Sequence, residues 1–128
     1  MYGALEPDGR LTYCNAGHNP PLIIGKSGVR RLEVGGPIVG LFEGAIFQEE
    51  TVTLEPGDWL VVFSDGVSEA LSAGGEEYGE ARILAVADKQ GEATPNEFLQ
   101  AIFADVRVFT KGAAQSDDIT ALVLRYGV

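Results

Sequence analysis

An α+β fold is what this sequence of 128 residues predicts, on three observations. The first half is a series of short alternating or apolar runs cut by glycine and proline turns. The second half carries an amphipathic helix opened by a capping box. A last apolar run, Ile119 to Leu124, closes the chain as a strand. Strands gathered before helices are the α+β pattern.

In order, Ala4-Leu5-Glu6 leads into the turn Pro7-Asp8-Gly9-Arg10, and Leu11-Thr12-Tyr13-Cys14 alternates, so Tyr2 to Cys14 reads as a hairpin. Pro21-Leu22-Ile23-Ile24 is a short apolar strand, Gly25-Lys26-Ser27-Gly28 a turn, and Val29 to Val34 a returning strand near a sheet edge. Gly35-Gly36-Pro37 breaks it. Ala45 to Leu54 reads as another strand, with Ile46, Val52 and Leu54 on one side. Glu55-Pro56-Gly57-Asp58 is a turn, and Trp59-Leu60-Val61-Val62-Phe63 is apolar throughout, as in a strand covered on both faces. Gly79 to Asp88 places Ile83, Leu84 and Ala87 at helical spacing. Thr94-Pro95-Asn96-Glu97 is a capping box with proline at the first helical position, followed by Phe98, Ile102, Val106 and Phe109 every three or four residues. Ile119 to Leu124 is expected to be a central strand. No repeat, low-complexity stretch or linker divides the chain, so residues 1–128 are expected to form a single domain.

Composition narrows the function. Lys plus Arg is 9 and Asp plus Glu is 19, a net charge of −10. Such a chain lacks the clustered basic face of a nucleic-acid binder, and no nucleic acid is expected as a partner. Surplus carboxylates suit a site that holds cations. Cys14 is the lone cysteine, which excludes an intrachain disulfide and predicts a buried structural thiol. No apolar run approaches the roughly 18 residues of a membrane helix. Met1-Tyr2-Gly3 opens no signal-like segment, and a cytoplasmic protein without membrane contact is expected.

Two acidic positions stand out. Asp65 follows the strand that ends at Phe63, and Asp117 and Asp118 precede the strand that begins at Ile119. If these strands are antiparallel neighbours, the carboxylates meet at one sheet edge, where a hard divalent cation relieves their repulsion. Oxygen-only ligands favour magnesium or manganese over zinc. The alternative is purely local: Ser64-Asp65-Gly66 a turn, Ser116-Asp117-Asp118 a cap. His18, the lone histidine, is either an acid, phosphate contact or metal ligand, or it orders its loop through backbone bonds.

Three segments then carry a resemblance: Asn15-Ala16-Gly17-His18-Asn19-Pro20-Pro21-Leu22, Pro56-Gly57-Asp58-Trp59-Leu60-Val61-Val62-Phe63-Ser64-Asp65-Gly66-Val67-Ser68-Glu69-Ala70 and Ser116-Asp117-Asp118-Ile119-Thr120-Ala121-Leu122-Val123-Leu124. In this order they resemble the bacterial branch of the metal-dependent type 2C (PPM-type) serine/threonine phosphatases, the branch of the sporulation stage II E and sigma-factor regulator U proteins. Gly36-Pro37-Ile38-Val39-Gly40-Leu41 resembles the family's Pro-Leu-Gly element, with Val39 where leucine is usual.

The resemblance implies an antiparallel β-sandwich flanked by helices, and hydrolysis of phosphoserine or phosphothreonine by a water held between two Mn2+ or Mg2+ ions. It implies that Asp65 and Asp117 are ligands of one metal, Asp118 a weaker candidate, and Gly66 the glycine that turns the backbone beside the metal. No catalytic residue beyond metal ligands is implied; Gly17 and His18 belong to a structural motif near the site. The implied substrate is a phosphoprotein of a sigma-factor or stress-signalling pathway, such as an anti-sigma-factor antagonist. The family's metal-bridging aspartate motif, Asp-x-x-Gly-His-Gly or Asp-x-Ser-Gly-x-Gly, has no counterpart between Met1 and Asp65. The chain is therefore expected to be the C-terminal part of such a domain, lacking its N-terminal strands and helices. By itself it is expected to bind metal weakly, to be inactive, and to self-associate, most simply as a homodimer, through a strand edge or through a bared sheet face near Leu11, Tyr13, Leu22 and Ile24. The alternative is a non-catalytic interaction module derived from the phosphatase fold.

Overall fold

The structure is a computed structural model that describes residues 1–115 and 117–127. It divides into two compact units, Met1–Leu60 with the residues from Arg125 onward, and Val61–Leu124. The α+β class is borne out: strands dominate the first unit, and the described residues of the second hold three helices.

In the first unit, β1 (Tyr2–Leu5) and β2 (Arg10–Ala16) form the expected hairpin, in register Tyr2↔Cys14 to Leu5↔Leu11. Gly9 closes the turn at φ +88°, where a side chain would also strike the Leu54 carbonyl oxygen. Alternation along β2 buries Leu11, Tyr13 and Asn15 and leaves Thr12, Cys14 and Ala16 half-buried on the other face. Cys14 is thus half-buried rather than fully enclosed. β3 (Leu22–Gly25) pairs antiparallel with β4 (Gly28–Arg31), a sheet edge as expected. β3 is followed in strand order by β7 (Trp59–Phe63), whose first two residues belong to this unit. Before β7, Pro56 and Gly57 turn the chain, Gly57 at φ +99° and Asp58 N–H donating to the Glu55 carbonyl at 2.9 Å, a type II arrangement.

Three expectations need correction here. Gly35-Gly36 does not simply end a strand: it is β5 (Gly35–Gly36), paired parallel with β2 through Asn15↔Gly35. A Cβ on Gly35 would lie 1.7 Å from the Asn15 carbonyl oxygen, so this pairing exists because the residue has no side chain. The strand expected over Ala45 to Leu54 shrinks to β6 (Glu50–Thr53), antiparallel to β2. The stretch before it turns back over Gly36, whose Cβ position is 2.7 Å from the Ile46 carbonyl oxygen, and Ile46 is left 81% exposed. Finally, the face carrying Leu11, Tyr13 and Leu22 is not bared; all three are at most 3% exposed, and Ile24 is half-buried. Six of the unit's exposed large apolar side chains, Ile38, Val39, Leu41, Phe42, Ile46 and Phe47, fall instead in one irregular stretch; Met1, Tyr2, Leu5 and Val29 are exposed elsewhere.

In the second unit, β7 buries Val61 and Phe63 and has β8 (Ala121–Arg125) as its neighbour. β8 begins two residues later than expected. It stands last in the strand order, and its residues are half-buried or exposed, so it is an edge rather than a central strand. A four-residue helix that periodicity could not reveal, α1 (Asp65–Ser68), follows β7. α2 (Gly79–Ala87) and α3 (Pro95–Thr110) stand where the apolar spacing puts them. Thr94 Oγ1 accepts from Glu97 N–H while Glu97 Oε2 accepts from Thr94 N–H, the reciprocal capping box. Phe98, Ile102 and Val106 of α3 pack with Ile83 and Val67 in this unit's core, each at most 1% exposed. Tyr78, ahead of α2, donates to Asp105 Oδ2 at 2.7 Å, and Arg82 lies 4.3 Å over the Phe109 ring, tying α2 to α3. No helix among the described residues is long and apolar enough to cross a membrane.

Candidate functional site

The acidic positions Asp65, Asp117 and Asp118 all belong to the second unit. The chain leaves β7 at Phe63, takes an extended residue at Ser64 (φ −79°, ψ 162°), and enters α1 at Asp65. Ser64 N–H donates to the Thr120 carbonyl at 2.9 Å. Its hydroxyl donates to the Asp118 carbonyl at 2.9 Å and accepts from Thr120 N–H at 3.0 Å. The end of β7 therefore lies beside the residues that lead into β8, the antiparallel adjacency on which the site depends. Ser64 acts as a clamp, a role that spacing alone could not assign; its only sequence signal is a hydroxyl ahead of Asp-Gly at a strand end.

Gly66 completes the approach. A Cβ there would stand 2.1 Å from the Asp118 carbonyl oxygen and 3.3 Å from the Asp117 carbonyl carbon. The first turn of α1 and the Asp117-Asp118 backbone are in direct contact because position 66 has no side chain. All three aspartates are exposed. Gly66 N–H donates to Asp65 Oδ1 at 3.1 Å, and Asp118 N–H donates to Asp117 Oδ1 at 2.7 Å. Each of these two carboxylates is thus oriented by a neighbouring backbone amide, and neither Oδ2 takes a further hydrogen bond among the described residues.

This donor chemistry, carboxylate and carbonyl oxygen, fits a hard cation such as magnesium or manganese. The donor number falls short: among the described residues no group of three His, Cys, Asp or Glu side chains is placed to hold a metal ion. The described residues therefore fit part of a metal site rather than a whole one.

Gly17 and His18 lie in the first unit, and there they build a loop. Buried Asn15 accepts from His18 N–H at 2.8 Å and donates to the His18 and Leu32 carbonyls at 2.9 and 3.0 Å. His18 Nδ1 lies 2.7 Å from the Asn19 carbonyl. A carbonyl only accepts, so Nδ1 carries the proton. Gly17, at φ +81°, would place a Cβ 2.9 Å from Ile38 Cα. Of the two readings of His18, the structure favours loop ordering.

The family model described as stage II sporulation protein E matches residues 1–127. The chain belongs to this family. A curated relative, Protein IcfG of Synechocystis, is 32% identical over 126 residues, which is 97% of this chain and 20% of that protein. Among solved structures, the PP2C phosphatase domain of SpoIIE from Bacillus subtilis, with a fragment of its regulatory domain, superposes at a TM-score of 0.76 and 20% identity, over 92% of this chain and 34% of that one. The RsbU and RsbW domains of Rv1364c from Mycobacterium tuberculosis superpose at 0.66 with 25% identity, over 98% and 35%. Residues 1–128 thus span about a fifth of the curated relative and about a third of these solved chains. The fold is that of PP2C phosphatase domains, as the resemblance implied, and the chain covers part of such a domain.

Proposed function

We propose that this SpoIIE-family chain is part of a metal-dependent phosphatase that hydrolyses phosphoserine or phosphothreonine in a regulatory protein. Asp65 and Asp117 are its contribution to the ligands of one Mn2+ or Mg2+ ion, Asp118 is a weaker third donor, and Gly66 is the contact that allows the other three to converge. The observation that carries this reading is the seating of Gly66 on the Asp117-Asp118 backbone, locked by the three bonds of Ser64. Held in part by Asp65 and Asp117, the ion would supply activation of a water and neutralisation of phosphoryl oxygens. The chain's own residues orient the donors: the Gly66 and Asp118 amides hold one oxygen of each carboxylate, and the other takes no hydrogen bond among the described residues.

The proposed substrate is a phosphoprotein of a signalling pathway, of the anti-sigma-factor antagonist kind, and the proposed compartment is the cytoplasm. The pairing of RsbU and RsbW domains in the mycobacterial protein supports a regulatory partner. Self-association of this chain is proposed through the exposed apolar stretch from Ile38 to Phe47.

A second reading, a non-catalytic interaction module, is favoured by the lack of a three-donor group among the described residues. Manganese-dependent hydrolysis of p-nitrophenyl phosphate separates the two. The phosphatase reading expects activity in the full encoded protein that is lost in Asp65→Asn. Activity that persists in that variant, or its absence from the full protein at saturating manganese, overturns the reading.

A further inference from the structure

Beside Gly66, within the second unit, lies a cleft of about 140 Å³ walled by α3 and the loop after it, with Ala70, Leu71, Val106 and Ile119 as its apolar lining. A second hollow of about 230 Å³ shares Val106, Arg107, Gln115 and Ile119 with it and adds Phe103. Arg107 borders both hollows, is exposed, and has no carboxylate paired with its guanidinium among the described residues. In a chain of net charge −10, an unpaired guanidinium at the mouth of an apolar hollow selects for a negative group on whatever enters. The hollow has the size of a single aliphatic side chain. Its wall includes Gly66, next to Asp65, so an occupant would be held next to the candidate metal ligands.

We propose that this cleft binds the stretch of substrate protein flanking the phosphorylated residue, taking an aliphatic side chain into the hollow and an adjacent carboxylate on Arg107. The proposal rests on the phosphatase reading for the word substrate, while the binding itself does not depend on catalysis. Asp65, Asp117 and Asp118 repel an acidic segment, and Arg107 supplies the attraction that lets one approach. Arg107 is a specificity-determining residue in this scheme and has no part in the hydrolytic step.

The test is an amide NMR titration of the full 128-residue chain with two probes, Ac-Gly-Leu-Asp-Gly-NH2 and Ac-Gly-Leu-Lys-Gly-NH2. The aspartate peptide should shift the amides of Gly66, Leu71, Arg107 and Ile119 and bind about tenfold more tightly than the lysine peptide, the factor expected of one charge-assisted contact. Arg107→Gln should abolish the difference between the probes while keeping the dispersed spectrum of the folded chain. Leu71→Asp, at an exposed position, should weaken both. Equal binding of the two probes, shifts elsewhere, or no shifts at all overturn the proposal. Phosphatase activity is measured separately in the full encoded protein, so its absence would remove the phosphatase reading and leave the cleft judged by the titration.

Discussion

Replacing Gly66 by alanine tests the seating on which the candidate site rests. The new Cβ falls 2.1 Å from the Asp118 carbonyl oxygen and 2.8 Å from its carbon, against backbone that cannot rotate away. Restoring contact distance moves α1 and the Asp117-Asp118 backbone apart by about 1 Å, enough to stretch the three Ser64 bonds of 2.9, 2.9 and 3.0 Å. Overpacking of this kind costs about 1–3 kcal/mol. Alanine's advantage over glycine in a helix returns about 0.5–1 kcal/mol. The net expectation is a loss of about 1–2 kcal/mol, or about 3–8 °C in melting temperature for a chain of this size. Gly74→Ala is the matched control, since only Ser72 Oγ, at 3.7 Å, lies within 4 Å of its Cβ position, and it should stay within about 0.5 kcal/mol of the parent. Thermal melts by circular dichroism read both. A Gly66→Ala chain that melts with the parent would refute the close seating and, with it, the support for the proposed convergence of Asp65 and Asp117.

Asp65→Asn should leave the melting temperature within the span of about 0.5 kcal/mol, because the asparagine Oδ1 still accepts from Gly66 N–H, and should abolish phosphatase activity in the full encoded protein. Thr94→Ala removes the hydroxyl half of the capping box and should cost about 1 kcal/mol by chemical denaturation. Burial and the bond to Glu50 push the Tyr13 phenol up to about 12, from an ordinary value near 10. The unfolded chain therefore loses this proton first as pH rises, and the stability the phenol contributes is complete below pH 10 and declines toward pH 12. Melts across that window should fall more steeply for the parent than for Tyr13→Phe; Tyr78, also raised by burial and Asp105, keeps some slope in both. Light scattering should show self-association that Phe42→Asp, at a 61% exposed position, reduces; a monomer at high concentration removes that proposal.

Much of this fold was legible because local chemistry and burial agree. Thr94-Pro95-Asn96-Glu97 announces α3, and its apolar stripe is the stripe that is buried. Pro7-Asp8-Gly9 announces the first hairpin, and Pro56-Gly57 the turn into β7. What stayed hidden depends on partners distant in sequence. β5 is a strand only because Gly35 meets Asn15, and two glycines carry no pattern to read. The alternation from Ala45 onward imitates a strand, yet Ile46 and Phe47 belong to a turned segment over Gly36. β8 has the composition of a central strand and the position of an edge, which composition cannot distinguish. At the site, the placement of Asp65 and Asp117 at facing strand ends was readable from two apolar runs, whereas the clamp of Ser64 and the cleft at Arg107 are made by residues tens of positions apart that share no local pattern.

The first unit also has an order of assembly written into it. Tyr126 donates its hydroxyl to the Pro7 carbonyl at 2.8 Å and its amide to the Asp58 carbonyl at 2.9 Å, and its own carbonyl accepts from Gly57 N–H at 2.8 Å. Arg125 lies 4.8 Å over the Trp59 ring. The second unit, by contrast, is one uninterrupted stretch, Val61–Leu124. On a ribosome, residues 1–60 must therefore wait for synthesis to reach Tyr126 before these hydrogen bonds exist, while the intervening stretch can close on itself as it emerges. Within this unit the bonds of Tyr126 therefore close last, and the delay is set by the time needed to translate the 64 residues, Val61–Leu124, that separate its two parts.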